Sequence, residues 1–245
     1  MRLEARLYSG MSRIGHGMSI RTAATGRRLA RLVGGPAIHR IGVVAVALAA
    51  AGAASAQQGH TIGNAIAVHG DVLVMSHGDM APKTLAEGDQ VFEGDHIETG
   101  KGARVRLLLE DGSLVQVGGA SVIDLEWVLY APALDSRNVI LSMPGGVVRF
   151  VVEQLVPRSS FEVKTQTAIT SAQATDWIIS ARPEATAVLA LDGEILVENV
   201  RPDVVGSVHL GPGWGTLVKP GEPPADAKNW PADRREAYIR RTELP

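Results

Sequence analysis

The sequence predicts an all-β protein, a solenoid- or roll-like stack of short strands, with a β-sandwich as the alternative and a short C-terminal helix or tail. Three observations predict it. Between Leu85 and Gly119, Gly-Asp, Thr-Gly and Asp-Gly pairs recur every five to twelve residues. The Val-, Leu- and Ile-rich runs between them are each about one strand long. Two segments centred on Asp111-Gly112 and Asp192-Gly193 share a hydrophobic rhythm, as layers do when they bury an apolar interior only by stacking.

The elements follow in order. Gln57 to Asn64 reads as a polar entry segment. Ala65–Val68 and Asp71–Met75 are short strands about a turn at His69-Gly70, and His77–Pro82 is a loop. Gly88-Asp89, Gly94-Asp95 and Thr99-Gly100 are corners, because glycine tolerates positive φ and an Asp or Thr side chain can cap its own turn. Ala103–Leu109 opens with strict polar-apolar alternation, the mark of a half-buried strand. Asp111-Gly112 is a hairpin signal, with Ser113–Val117 as the return. Ser121–Tyr130 is a longer strand, bent or bulged. The loop Ala131–Arg137 leads to strands at Asn138–Leu141, Val147–Val152 and Ser160–Lys164. Ala168–Gln173 and Ala174–Ala181 come next. Thr186–Leu191 and Glu194–Val200 form a second hairpin on Asp192-Gly193. Val208–Leu210 and Thr216–Val218 close the module.

Composition divides the chain further. Residues 1–40 hold eight arginines and one glutamate, net +7, whereas residues 57–245 hold 16 basic and 25 acidic residues, net −9. Between them lies the uncharged run Ile41–Ala54, ending in Ala54-Ser55-Ala56 before Gln57. A basic leader, a short apolar region and small residues at a cleavage position describe an export signal. The run is shorter than the ~20 residues of a spanning helix. Residues 1–56 are therefore expected to be a signal peptide cleaved between Ala56 and Gln57. The alternative is an uncleaved membrane anchor. Residues 57–219 form the β domain, and 220–245 a proline-rich linker and helical tail, with Pro231 at the entry of a helix over Ala232–Arg241.

Chemistry is sparse. The chain has no cysteine, which excludes disulfides and thiolate metal sites. The echo His69-Gly-Asp71, His77-Gly-Asp79 and the nearby Asp95-His96 match no established metal spacing and read as turn chemistry. Glu93, Glu98, Glu110 and Asp111 sit beside turn glycines and do not present the isolated acid and base of a glycosidase. Ser159, Ser160 and Ser171 lack a nucleophile-elbow context. An acidic mature chain disfavours nucleic acid. Asp176-Trp177 is the candidate ligand contact, since an aromatic beside an acid can receive a sugar, although a tryptophan within a strand more often fills a core.

The Gly88-Asp89, Gly94-Asp95, Thr99-Gly100 and Asp111-Gly112-Ser113 block resembles the core signature of the FecR domain family. Downstream, Gly145-Gly146-Val-Val-Arg149, Phe161–Ala168, Val188–Val197 with Asp192-Gly193, and Leu210-Gly-Pro-Gly213 continue the resemblance, which covers roughly residues 63 to 219. Asp176-Trp177 stands where the family commonly shows Gly-Thr. The resemblance implies a cell-envelope domain that acts through protein contacts, without enzymatic activity or a cofactor. Relatives that regulate transcription carry a cytoplasmic anti-sigma segment, and the leader here is too short to fold as one. The expectation is a periplasmic or exported interaction module, signalling through another protein and touching a membrane only if its N-terminus is uncleaved. A glycan-binding or glycan-hydrolysing envelope protein and an anchored sensor are the alternatives.

Overall fold

Seventeen strands, a short 3-10 turn at Pro132–Leu134 and one α-helix follow one another in the computed structural model, which describes residues 59–134, 136–152 and 158–245. The leader, and with it the Ala56–Gln57 cleavage site, lies outside the described residues. In chain order the strands are β1 (Thr61–His69), β2 (Val72–Met75), β3 (Lys83–Thr84), β4 (Gln90–Phe92), β5 (His96–Thr99), β6 (Arg104–Leu109), β7 (Leu114–Val117), β8 (Val122–Ala131) and β9 (Ser136–Val152). They continue as β10 (Arg158–Thr165), β11 (Ala168–Ala172), β12 (Thr175–Arg182), β13 (Ala185–Asp192), β14 (Ile195–Asn199), β15 (Ser207–Leu210), β16 (Trp214–Val218) and β17 (Lys228–Asn229), before helix α1 (Ala232–Arg240).

All the strands belong to one connected sheet, but the pairings separate into two ladders. The first runs β4-β1-β6-β7-β9-β12-β13-β16-β17 and is antiparallel throughout. The second runs β3-β2-β5-β8-β9-β10-β11-β14-β15 and is antiparallel except for the parallel β9–β10 pair. From β10 onward the chain lays down two strands in one ladder, then two in the other.

Strand β9 belongs to both ladders. Its first part pairs with β8 and β10, and from Gly146 onward it pairs with β12 and then also β7. Gly146 makes the passage possible. Its φ is +103°, a region closed to most L residues, and a Cβ there would lie 2.2 Å from Ser121 Oγ. The next amide, Val147 N–H, donates to Ser121 Oγ at 2.9 Å. The sequence suggests one strand ending at Leu141 and another opened by Gly145-Gly146. The structure corrects this to one bent strand, because the backbone on each side of the glycine finds a partner in a different ladder.

Alternation places the core between the ladders. In β6, Val105, Leu107 and Leu109 are buried while Arg104, Arg106 and Leu108 face outward. Phe150 of β9 and Trp177 of β12 come from the first ladder, and Phe161 of β10 from the second. The Phe150–Trp177 centroids are 5.1 Å apart and nearly stacked, and Phe161 meets Trp177 edge-on at 5.5 Å. Such offset and T-shaped pairs suit aromatic quadrupoles. β1 begins at Thr61 inside the expected entry segment, because Ile62 is drawn fully into this core. The irregularity expected in β8 is present as register shifts against β9 between Val122 and Trp127.

The Asp192-Gly193 corner is a second correction. β13 pairs with β12 and β16, whereas β14 pairs with β11 and β15, so the two strands do not form a hairpin. The corner carries the chain from one ladder to the other. It packs against the neighbouring β11–β12 crossing, where the Thr175 hydroxyl donates to the Glu194 carbonyl at 3.1 Å. Asp111-Gly112 does close a hairpin, β6–β7.

The tail docks on the β module. Trp230 is buried with Ala187 and Leu189 of β13, with Leu191 and Tyr238 packed against the group. The described residues form one compact unit. No helix among the described residues is long and apolar enough to cross a membrane.

Candidate binding surfaces

The Gly-Asp corners are built to one pattern. In Ser76–Asp79, Ala86–Asp89 and Phe92–Asp95, the last residue's N–H donates to the first residue's carbonyl, and its carboxylate accepts the first residue's N–H. The third residue is in each case a glycine with φ between +85° and +92°, as the third position of a type II turn requires. Gly88-Asp89 and Gly94-Asp95 therefore serve the turn itself. Asp95 is fully buried, and its second carboxylate oxygen has no partner.

Thr99 is buried, and its hydroxyl donates to Gly118 O at 2.6 Å while accepting the Ser121 amide. Gly100 N–H donates to Asp71 O. The Asp111 carboxylate accepts both the Ser113 amide and the Ser113 hydroxyl across Gly112. Its Oδ2 also lies 3.3 Å from Arg137 Nη1. Arg137, expected from the sequence as the last residue of a connecting loop, lies instead in β9. It is 1% exposed and donates from Nη2 to Gln173 O at 2.8 Å.

Asp176 and Trp177, the candidate ligand contact, part to opposite faces of β12. Trp177 is fully buried in the aromatic core, because strand alternation turns it inward. Asp176 faces outward and receives Arg149 in a two-point fork, Nε to Oδ1 at 2.8 Å and Nη2 to Oδ2 at 2.6 Å. The fork holds the Arg149 guanidinium above its ordinary value. The exposed indoles are Trp127 and Trp214.

Of the histidines singled out in the sequence, His96 gains charged partners on the outer face of the second ladder. Its Nε2 meets Glu98 Oε1 at 3.0 Å, and its Nδ1 bonds Asp124. Hydrogen bonds to Glu98 and then Asp124 raise its pKa above 6.5, against burial. Among the described residues no group of three or more His, Cys, Asp or Glu side chains is arranged to hold a metal ion.

Two features offer open surface. Strand β15 is hydrogen-bonded to β14 on one side, and among the described residues no strand pairs with its other edge. Beside it a groove of about 590 Å³ runs over β10, β11 and β14, lined by Ser160, Ser171, Thr175, Glu194, Leu196 and His209. The second feature is the outer face of the first ladder. There Arg106, Gln116 and Arg149 stand opposite one another on β6, β7 and β9.

A family described as FecR protein matches residues 95–196, from the end of the second Gly-Asp corner into β14. Thr99, Gly100, Asp111, Gly112, Asp192 and Gly193 fall inside the match, and Gly88, Asp89 and Gly94 precede it. The matched residues fall within this β module, and the family is the one that its corner residues resemble. Two crystal structures of a proposed anti-sigma factor from Parabacteroides distasonis, at 1.65 and 2.50 Å, are similar to the chain at 20% identity with TM-scores of 0.48 and 0.46. Each alignment covers 59% of this chain, and it spans 64% and 63% of those chains. No curated protein matches.

Proposed function

We propose that this chain is a non-enzymatic interaction module of the cell envelope, exported by its basic leader and taking part in signalling through another protein. The FecR match at residues 95–196 supports the signalling context. The charge asymmetry between leader and mature chain supports export. In this reading the architecture is a roll-like stack, its paired strands alternating between layers. The periplasm is the expected compartment, with the membrane touched only through an uncleaved leader.

The observation that carries the reading is the edge of β15, unpaired among the described residues, beside its groove. An exposed edge presents unpaired backbone donors and acceptors to an incoming strand. Strand addition takes affinity from those main-chain bonds and specificity from pockets that receive alternate side chains. The row Ser171, Leu196 and His209 runs from β11 across β14 to that edge, on one face of the ladder.

The test is site-specific photo-crosslinking in whole cells from position 209. A discrete adduct with an envelope protein, lost when Ser171→Trp fills the groove, supports strand addition. Adducts unchanged by Ser171→Trp, or shared with a probe at Lys101, overturn it.

A further inference from the structure

The outer face of the first ladder collects arginines on a module whose residues 57–245 are net acidic. Arg104 and Arg106 project from β6, Arg149 from β9 and Arg182 from the end of β12. The segment after α1 adds Arg241. Its carbonyl oxygen crosses Gly118 so closely that a Cβ there would lie 2.5 Å away, and Arg104 Nη1 covers Gly119 at 2.8 Å by the same measure. Arg149 has its carboxylate in Asp176. Among the described residues, Arg104, Arg106, Arg182 and Arg241 have none within ion-pair distance.

Their hydrogen bonding is incomplete as well. Arg104 donates to its neighbouring carbonyl of Ala103, and Arg241 reaches Ser180 Oγ at 3.4 Å. Arg104 Nε, Arg106 Nε and Gln116 Oε1 are buried without partners, and Gln116 is only 7% exposed. Buried polar groups are normally satisfied, and an orphaned guanidinium N–H is stabilised by an acceptor brought to it. Burial lowers the Arg241 pKa; Tyr238 opposes this, and the charges of Arg182 and Arg104 add to the lowering. The face is short of negative charge.

We propose that the first ladder's outer face, at Arg104, Arg106, Arg182 and Arg241, is a docking site for a carboxylate-bearing segment of a partner protein. Spacing and chemistry select that occupant. Arg104 and Arg106 are two residues apart on one strand, a repeat of roughly 6.6 Å that matches alternate side chains of an extended peptide. The planar guanidinium fork pairs with carboxylates through two parallel hydrogen bonds. A pocket of about 200 Å³ lies at the same face, where Ser180, Ala187, Leu217 and Tyr238 leave room for an apolar side chain flanking the acids, and where Glu184 stands beside Arg182. This site goes beyond the edge at β15, which lies on the other ladder, and either can fail without the other.

The test is fluorescence anisotropy of a fluorescein-labelled hexaglutamate peptide with the full chain, with circular dichroism confirming the fold of each variant. Saturable binding is expected, weakened roughly tenfold or more in the Arg104→Gln/Arg106→Gln pair and weakened less by Arg182→Gln. Arg201→Gln, which removes an arginine paired with Asp203 on a distant loop, is expected to leave binding unchanged. The proposal is overturned by non-saturable binding, or by equal affinity in the Arg104→Gln/Arg106→Gln pair. It is also overturned if phosphatidylglycerol vesicles bind through these arginines while hexaglutamate does not.

Discussion

Arg137 and Asp111 form a buried ion pair, Nη1 to Oδ2 at 3.3 Å, with their side chains 1% and 0% exposed. The pair joins the β6–β7 turn of the first ladder to the start of β9 in the second, and Arg137 Nη2 extends the link to Gln173 O at the β11–β12 corner. Three segments distant in sequence are fastened at one guanidinium. Removing one partner of such a pair strands a charge away from water, which costs about 3–5 kcal/mol. Asp111→Ala is expected to lose stability on that scale in urea denaturation, with Asp111→Leu/Arg137→Leu recovering part of it. Equal losses in the single and double variants would contradict the account.

Gly146 and Gly145 are adjacent but make opposite demands. An alanine at 146 meets both a positive φ and Ser121, and the backbone strain alone is about 1–3 kcal/mol. An alanine at 145 meets open space and is expected to shift stability by no more than about 0.5 kcal/mol. Thermal melts of Gly146→Ala and Gly145→Ala give the comparison.

His96 predicts a pH dependence of defined sign. The partners Glu98 and Asp124 raise its folded pKa above the ordinary value of 6.5. The stabilisation is therefore complete below the unfolded value and disappears as pH rises through the folded one. Between about pH 6 and pH 8, Tm of the parent should fall relative to that of His96→Gln. Parallel Tm profiles would show that the two carboxylates do not hold the imidazolium.

Gly215 is where Trp230 rests. A Cβ at 215 would lie 2.4 Å from Trp230 Cε2, and Trp230 is in turn covered by Arg234, whose Cζ lies 3.6 Å from the ring centroid. Gly215→Val is expected to lift the indole and loosen α1, at about 1–3 kcal/mol. A red shift of tryptophan emission, with the β-sheet circular dichroism retained, would register the lifting.

Local chemistry was readable in the sequence and long-range partnership was not. Gly88-Asp89 and Gly94-Asp95 announce their turns because donor, acceptor and positive-φ glycine all lie within four residues. Asp111-Gly112 announces its hairpin for the same reason. The matching pair Asp192-Gly193 misleads, because whether a corner folds a strand back or passes it to the other layer depends on which edges are already filled. Gly146 looks like a terminator until its neighbours' partners are known. Arg137 reads as loop because its acceptors are 26 and 36 positions away. Trp177 shows the limit at the candidate site. Its neighbour Asp176 suggested a ligand, but only the phase of β12 decides that the indole points inward. The β15 edge and the arginine face are products of topology, and no short motif signals either.

Strand addition at β15 is tested most directly by amide hydrogen exchange of the full chain with and without the envelope protein cross-linked from position 209. The account predicts slowed exchange at Ser207–Leu210 on partner binding. Unchanged exchange there, with protection appearing elsewhere on the module, would contradict it.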